Sequence, residues 1–194
     1  GCGGMAGLEA YLRAAPIERI VDATHPYAGT ISANAVAAAQ ASGVPLVRLM
    51  RPAWEPGPDE RWTIVESFTE AAAALPAGAR VLVTTGHTGL GHFLERGDCR
   101  LVVRLIEPPT EPFPAHAKLI LSRPPHGLDD ELAVMRKEAI THLVSKNSGG
   151  EQTRAKLDAA RQLGINVVMI ARPAYGPAPE VADVEAAVAA LGLT

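Results

Sequence analysis

Leu143-Val144-Ser145-Lys146-Asn147-Ser148-Gly149-Gly150-Glu151 starts as the end of an apolar run and finishes as the opening of a helix. A strand that stops in small polar residues and restarts as a helix is the turn of a strand–helix unit. Such a turn leaves backbone N–H groups unpaired at the helix start, where the positive end of the dipole suits a phosphate or a carboxylate. Gly149 and Gly150 let a ligand approach the backbone, and Lys146 adds a formal positive charge. The plainer alternative is an ordinary turn in which Ser148 caps the helix.

Outward from this stretch, the same alternation repeats. The strand Thr141–Val144 leads into it, and a helix over Glu151–Leu163, closed by Gly164, leads away. Further strands are expected at Ile20-Val21, Val44–Leu49, Trp62–Val65, Arg80–Thr85, Leu101–Ile106, Lys118–Leu121 and Asn166–Ile170. Helices are expected over residues 5–14, from Ile31 to about Gly43, over Thr69–Leu75 with Thr69 at its start, over Leu128–Ala139, and over Val181–Leu191. Strands alternating with helices predict an α/β protein with mainly parallel sheets. Residues 51–60 hold three prolines and a glycine, which makes them the linker candidate. The expected lobes are therefore residues 1–60 and 61–194. Parallel sheets gather ligands at the carboxyl ends of their strands. Three polar loops fall there, Asp22–Tyr27, Thr85–Leu90 and Ser145–Gly150, and a cleft between the lobes would bring them together.

Composition narrows the function. The chain has 194 residues, 47% hydrophobic and 20% charged, enough for a sizeable core. A net charge of −3 and 4% aromatic residues argue against nucleic-acid binding. Two cysteines, Cys2 and Cys99, make no disulfide framework and suit a reducing cytoplasm. No apolar run reaches the length of a membrane span, and no signal peptide is visible. The six histidines show no zinc spacing, and no G-x-S-x-G elbow exists. Asp22-Ala23-Thr24-His25 places its histidine one position late for a D-x-H-x-x-G corrinoid module. Pro26 ends its strand, so His25 is either a proton donor or a residue that shapes the turn. Arg48, Arg51, Arg104, Arg123, Lys146 and Arg172 lie at or just beyond strand ends, and several round one cleft would suit a polyanion.

Taken together these stretches resemble one family, the precorrin-6A and cobalt-precorrin-6A reductases of cobalamin biosynthesis. The matching pieces include Gly3–Leu8, Asp22–Ala28 with Ile31–Ala35, Leu49–Trp54, Thr85–Leu90 and Val103–Pro109. The match continues through Leu143–Gly150, Thr153, Lys156-Leu157 and Ala159–Arg161, and from Val167–Ile170 to Arg172-Pro173. The resemblance implies two Rossmann-like lobes with the active site between them, NADPH as cofactor and a tetrapyrrole as substrate. It implies no metal, nucleic acid or membrane partner. On that reading Thr85, Gly86, Lys146, Asn147, Ser148, Gly149 and Gly150 hold the cofactor. Asp22, Thr24, Arg51 and Arg172 face the substrate, and His25 and Tyr27 are the candidate proton donors. Lys146 is expected to bind rather than transfer protons, because a lysine among polar loop residues has no evident cause for a lowered pKa. The family normally opens with a strand and a Gly-Gly-Thr turn, so the first lobe is expected to be incomplete, with a small sheet and an exposed edge. Two other classes remain: a non-catalytic tetrapyrrole- or nucleotide-binding domain, and an α/β transferase using another adenine-containing cofactor.

Overall fold

The apolar runs form the strands expected of them, because parallel strands covered on both faces are near-continuous in Val, Ile and Leu. In a computed structural model that describes residues 3–192, these strands build two sheets in two units. Gly1 and Cys2, on which part of the reading of the chain's start rested, lie outside the described residues. One unit is Ala53–Ala171; the other joins the residues up to Pro52 with those from Arg172 onward. The division therefore differs from a single break near residue 60. The chain leaves the first unit, builds the second and returns.

The larger unit has six parallel strands: β3 (Trp62–Val65), β4 (Arg80–Val83), β5 (Arg100–Leu105), β6 (Ala117–Leu121), β7 (His142–Lys146) and β8 (Asn166–Ile170). Their order is β3-β8-β7-β4-β5-β6. From β4 the chain steps outward to β5 and β6, then crosses back to lay β7 on the other side of β4. The topological switch therefore lies between β4 and β7. Five helices connect or cover these strands: α3 (Phe68–Ala73), α4 (Leu90–Leu94), α5 (Leu128–Lys137), α6 (Ala155–Leu163) and a 3-10 turn at Glu151–Thr153. Helices α5 and α6 pack together, and Leu132, Met135, Leu157 and Ala160 join Leu82, Leu143, Val167 and Met169 in one core.

Two boundaries in this unit moved for local reasons. Helix α3 starts at Phe68 rather than Thr69, because the Ser67 hydroxyl accepts the Glu70 N–H at 3.1 Å. The helix expected from Glu151 begins only at Ala155, after the 3-10 turn, and no side chain caps either piece. The N-cap position of the 3-10 turn is held by Gly150 rather than Ser148. The Ser148 N–H donates to Lys146 O at 2.8 Å.

The smaller unit has α1 (Gly4–Ala14), β1 (Ile20–Asp22), α2 (Gly29–Ser42), β2 (Leu46–Leu49), β9 (Glu180–Val181) and α7 (Val184–Ala190). Helix α2 buries small residues, among them Ala35, Ala38 and Ala39, and packs against α1 before Gly43 ends it at φ 73°. The sheet is β1-β2-β9, all parallel, so among the described residues it has three strands and β1 lies at an edge. The expected last helix from Val181 is a strand and a helix: Val181 pairs with Leu49, and Asp183 caps α7 by accepting Ala186 N–H at 2.8 Å. Among the described residues no helix is long and apolar enough to cross a membrane.

Candidate functional site

Strand β7 runs between β8 and β4, with Leu143, Val144 and Ser145 at 1% exposure or less. Thr84 ties the next strand end to it, donating both its N–H and its hydroxyl to Val144 O at 3.0 and 2.9 Å. The chain then opens into the Lys146–Gly150 loop. Gly149 and Gly150 take φ of 69° and 79°, which glycine adopts without steric cost. Asn147 holds the loop in place. Its N–H donates to Ile170 O at 3.1 Å. Its side-chain oxygen accepts Trp54 N–H at 2.8 Å, and its amide nitrogen donates to Trp54 O at 2.9 Å. Trp54 in turn donates its indole N–H to Gly150 O at 2.9 Å and is 6% exposed. The proline-rich stretch is therefore anchored at Trp54 rather than a free tether. Asn147, expected to meet a cofactor, brackets the Trp54 backbone with its side-chain amide.

Cations collect beneath this loop. Lys156 of α6 is 9% exposed; its ammonium donates to Thr153 O at 2.8 Å and lies 4.8 Å from the Trp54 ring centroid. Burial pulls its pKa down to about 8, with Glu131 opposing and Arg104 and Lys146 adding to the fall. Arg104 and Glu131 form a bidentate pair at 2.7 and 2.8 Å. Lys146 closes β7, half-buried, and burial lowers its pKa too. This corrects the expectation that nothing would lower it: the side chain leaves a strand end inside the fold rather than a solvated loop.

Beside this loop, at the other edge of the topological switch, is Thr85–Leu90. Thr85 is 1% exposed, and its hydroxyl has no hydrogen-bond partner among the described residues. A buried hydroxyl without a partner costs free energy that a ligand's polar group would return. Gly86 follows at φ 75°. Gly89, at φ 72°, admits no side chain, because a Cβ there would overlap the Phe68 ring. An open glycine turn, an orphaned hydroxyl and the half-buried Lys146 on the neighbouring strand form a donor set that fits the phosphates and ribose hydroxyls of a dinucleotide.

The smaller unit carries its own polar centre. Asp22, 4% exposed, accepts from Thr24 N–H at 3.2 Å, Thr24 hydroxyl at 2.7 Å and Arg48 Nε at 3.2 Å. Burial works to raise its pKa, but hydrogen bonds from Thr24, Ser32 and Arg48 prevail and hold it low. Asp22 and Thr24 thus organise the loop from within. Arg48, 2% exposed, also donates to Gly176 O at 3.2 Å and Glu180 Oε1 at 3.0 Å, and stacks 4.8 Å from the Tyr175 ring centroid. The Tyr175 hydroxyl donates to Pro26 O, so Arg48 and Tyr175 frame the His25–Tyr27 turn. Exposed His25 accepts Tyr27 N–H on Nδ1 at 3.2 Å, which places the neutral imidazole's proton on Nε2. The two rings are 5.8 Å apart. Arg172 is half-buried; burial lowers its pKa, Tyr175 and Tyr27 oppose, and exposed Arg51 adds to the fall. Two guanidinium groups that repel one another beside two phenols suit an anionic ligand.

Residues 1–192 match the family of precorrin-6x reductases, CbiJ/CobK. The chain belongs to that family. A precorrin-6A reductase of Rhodococcus erythropolis is 47% identical over 194 residues, covering 99% of this chain and 78% of that one. A precorrin-6A reductase of Mycobacterium tuberculosis is 46% identical over 176 residues, 89% of this chain and 70% of its own. A solved structure of CobK precorrin-6A reductase superposes with a TM-score of 0.94 at 40% identity, over 100% of this chain and 82% of that one. In this member of the precorrin-6x reductase family, three residues that brace the candidate loops were not picked out by spacing alone: Trp54, Lys156 and Tyr175. Trp54 sat among prolines that read as linker. Lys156 could have been found, because it stands beside Leu157 and four residues before Ala160 on the buried face of α6. Tyr175 lies between prolines with no periodic signal.

Proposed function

We propose that the protein catalyses the NADPH-dependent reduction of precorrin-6A to its 6B form in cobalamin biosynthesis. The observation that carries this is the family match over residues 1–192. The names of the two relatives above favour the cobalt-free macrocycle over the cobalt form. Bound NADPH would supply a hydride to one carbon of a double bond in the macrocycle. The chain's part is to bind, orient and deliver a proton. Lys146, Ser148, Gly149 and Gly150 offer a cation and backbone donors to the cofactor's phosphates, and Thr85 and Gly86 offer a hydroxyl and an open backbone. Arg51 and Arg172 suit the macrocycle's carboxylates. His25 Nε2 and the Tyr27 hydroxyl are the candidate proton donors to the neighbouring carbon.

The test is NADPH oxidation by purified protein, followed with precorrin-6A, with cobalt-precorrin-6A and with neither. Oxidation that requires precorrin-6A is the expected result. Tight tetrapyrrole binding with no NADPH oxidation in any mixture would make the protein a binding module instead.

A further inference from the structure

Lys156 stands where the core side of α6 would ordinarily carry an aliphatic residue. Its neighbours Leu157, Ala159 and Ala160 are fully buried. An ammonium group in such a place must be held by partners, because burial penalises its charge. Its partners belong to the support of the Lys146–Gly150 loop. Thr153 O accepts its hydrogen bond at 2.8 Å, and its ammonium lies 4.8 Å from the Trp54 ring centroid. Trp54 clasps Asn147 through its backbone and Gly150 through its indole. The lysine thus touches the back of the staple whose front fixes the loop.

We propose that Lys156 is a positioning residue for the Lys146–Gly150 loop, acting through Trp54 and Thr153, and that its charge sets the affinity of that loop for NADPH. This rests on the reading of the loop as the NADPH contact. The charged groups that face Lys156 are Glu131 of α5, Arg104 of β5 and Lys146 of β7, and His126, just ahead of α5, feels it as well. Glu131 favours the ammonium and the two cations oppose it, so with burial the side chain loses its proton at about pH 8. The neutral amine keeps a donor for Thr153 O but loses its attraction to the indole face. The staple then loosens, and affinity falls.

The chain has two tryptophans, so Trp62→Phe leaves Trp54 as the sole indole. Trp62 Nε1 has no hydrogen-bond partner among the described residues, so that change removes no bond. In this background Trp54 emission is expected to change with pH through a midpoint at about 8, and Lys156→Arg and Lys156→Gln are each expected to abolish the transition. The NADPH dissociation constant is expected to rise about fivefold between about pH 7 and about pH 9 in the parent. Lys156→Arg should keep tight binding across that range, and Lys156→Gln should bind weakly throughout. A rescue by arginine separates a charged staple from simple packing. A flat Trp54 emission, or equal NADPH affinity in the parent and Lys156→Gln, overturns the proposal. No NADPH binding by the parent at any pH overturns the loop's cofactor role, and the affinity claim with it. The emission titration then still decides whether Lys156 grips Trp54.

Discussion

Arg48 carries a full charge at 2% exposure, and its cost is met by Asp22, Glu180, Gly176 O and the Tyr175 ring. Removing the Asp22 charge leaves the buried guanidinium to the half-exposed Glu180 carboxylate. Asp22→Asn should lower unfolding stability by about 3 kcal/mol in urea denaturation. The pH dependence has a definite sign. Asp22 titrates below its ordinary 3.8 in the fold, so its contribution is present above that value and is lost as pH falls through the lower folded one. Lys156 has the opposite consequence. Its folded value of about 8 lies below the ordinary 10.5, so between these values the unfolded chain holds more protons and stability rises with pH. Lys156→Met should remove that rise and be more stable than the parent at neutral pH, which denaturation at several pH values will show. Lys146 is a different case, because the reading assigns it to the ligand. Lys146→Ala should raise KM for NADPH or the macrocycle by about tenfold, as the loss of a charge-assisted hydrogen bond would. Because burial lowers its pKa, steady-state kinetics must also follow kcat: a collapse at unchanged KM would make Lys146 a proton-transfer residue.

Among the elements, the end of α5 offers a direct test of backbone strain. Ala139 follows the helix at φ 49°, in the left-handed region that a Cβ disfavours. Ala139→Gly should stabilise the protein by about 0.5–1 kcal/mol, measured as a higher urea midpoint at unchanged slope. Elements of this kind were largely legible in the sequence. Strand β8 has the expected limits, and α1, α2 and β3 lie within two residues of theirs, because unbroken apolar runs and a terminal glycine leave little choice. Where the reading failed, the deciding partner was remote. Val181 has good helix periodicity around it, yet it pairs with Leu49, 132 residues earlier by the same register that joins Arg48 to Glu180. The glycine loops of the larger unit were visible as donors, but Trp54's clasp on Asn147 was not. No local pattern announces that a side-chain amide will bracket a backbone 93 residues away.

At the scale of the whole molecule, the larger unit is an insertion whose two ends are tied by one residue. Asn147 holds Trp54 near the entrance through its side chain and Ile170 at the exit through its N–H. A fragment of residues 53–171 should therefore unfold in one cooperative urea transition, and residues 1–52 alone should show none, because β9 and the partners of Arg48 are elsewhere. The buried arginine also imposes a timetable. Gly176 and Glu180 follow Arg48 by 128 and 132 residues. At about 5–20 residues per second, a ribosome takes roughly six to twenty-six seconds to deliver them. During that interval the inserted unit is made in full and can close, while β1 and β2 emerge before it and wait. The usual amino-to-carboxyl order of folding during synthesis is expected to reverse for these two units, so the segment that holds β1 and β2 is one a nascent-chain chaperone must shelter while the larger unit closes.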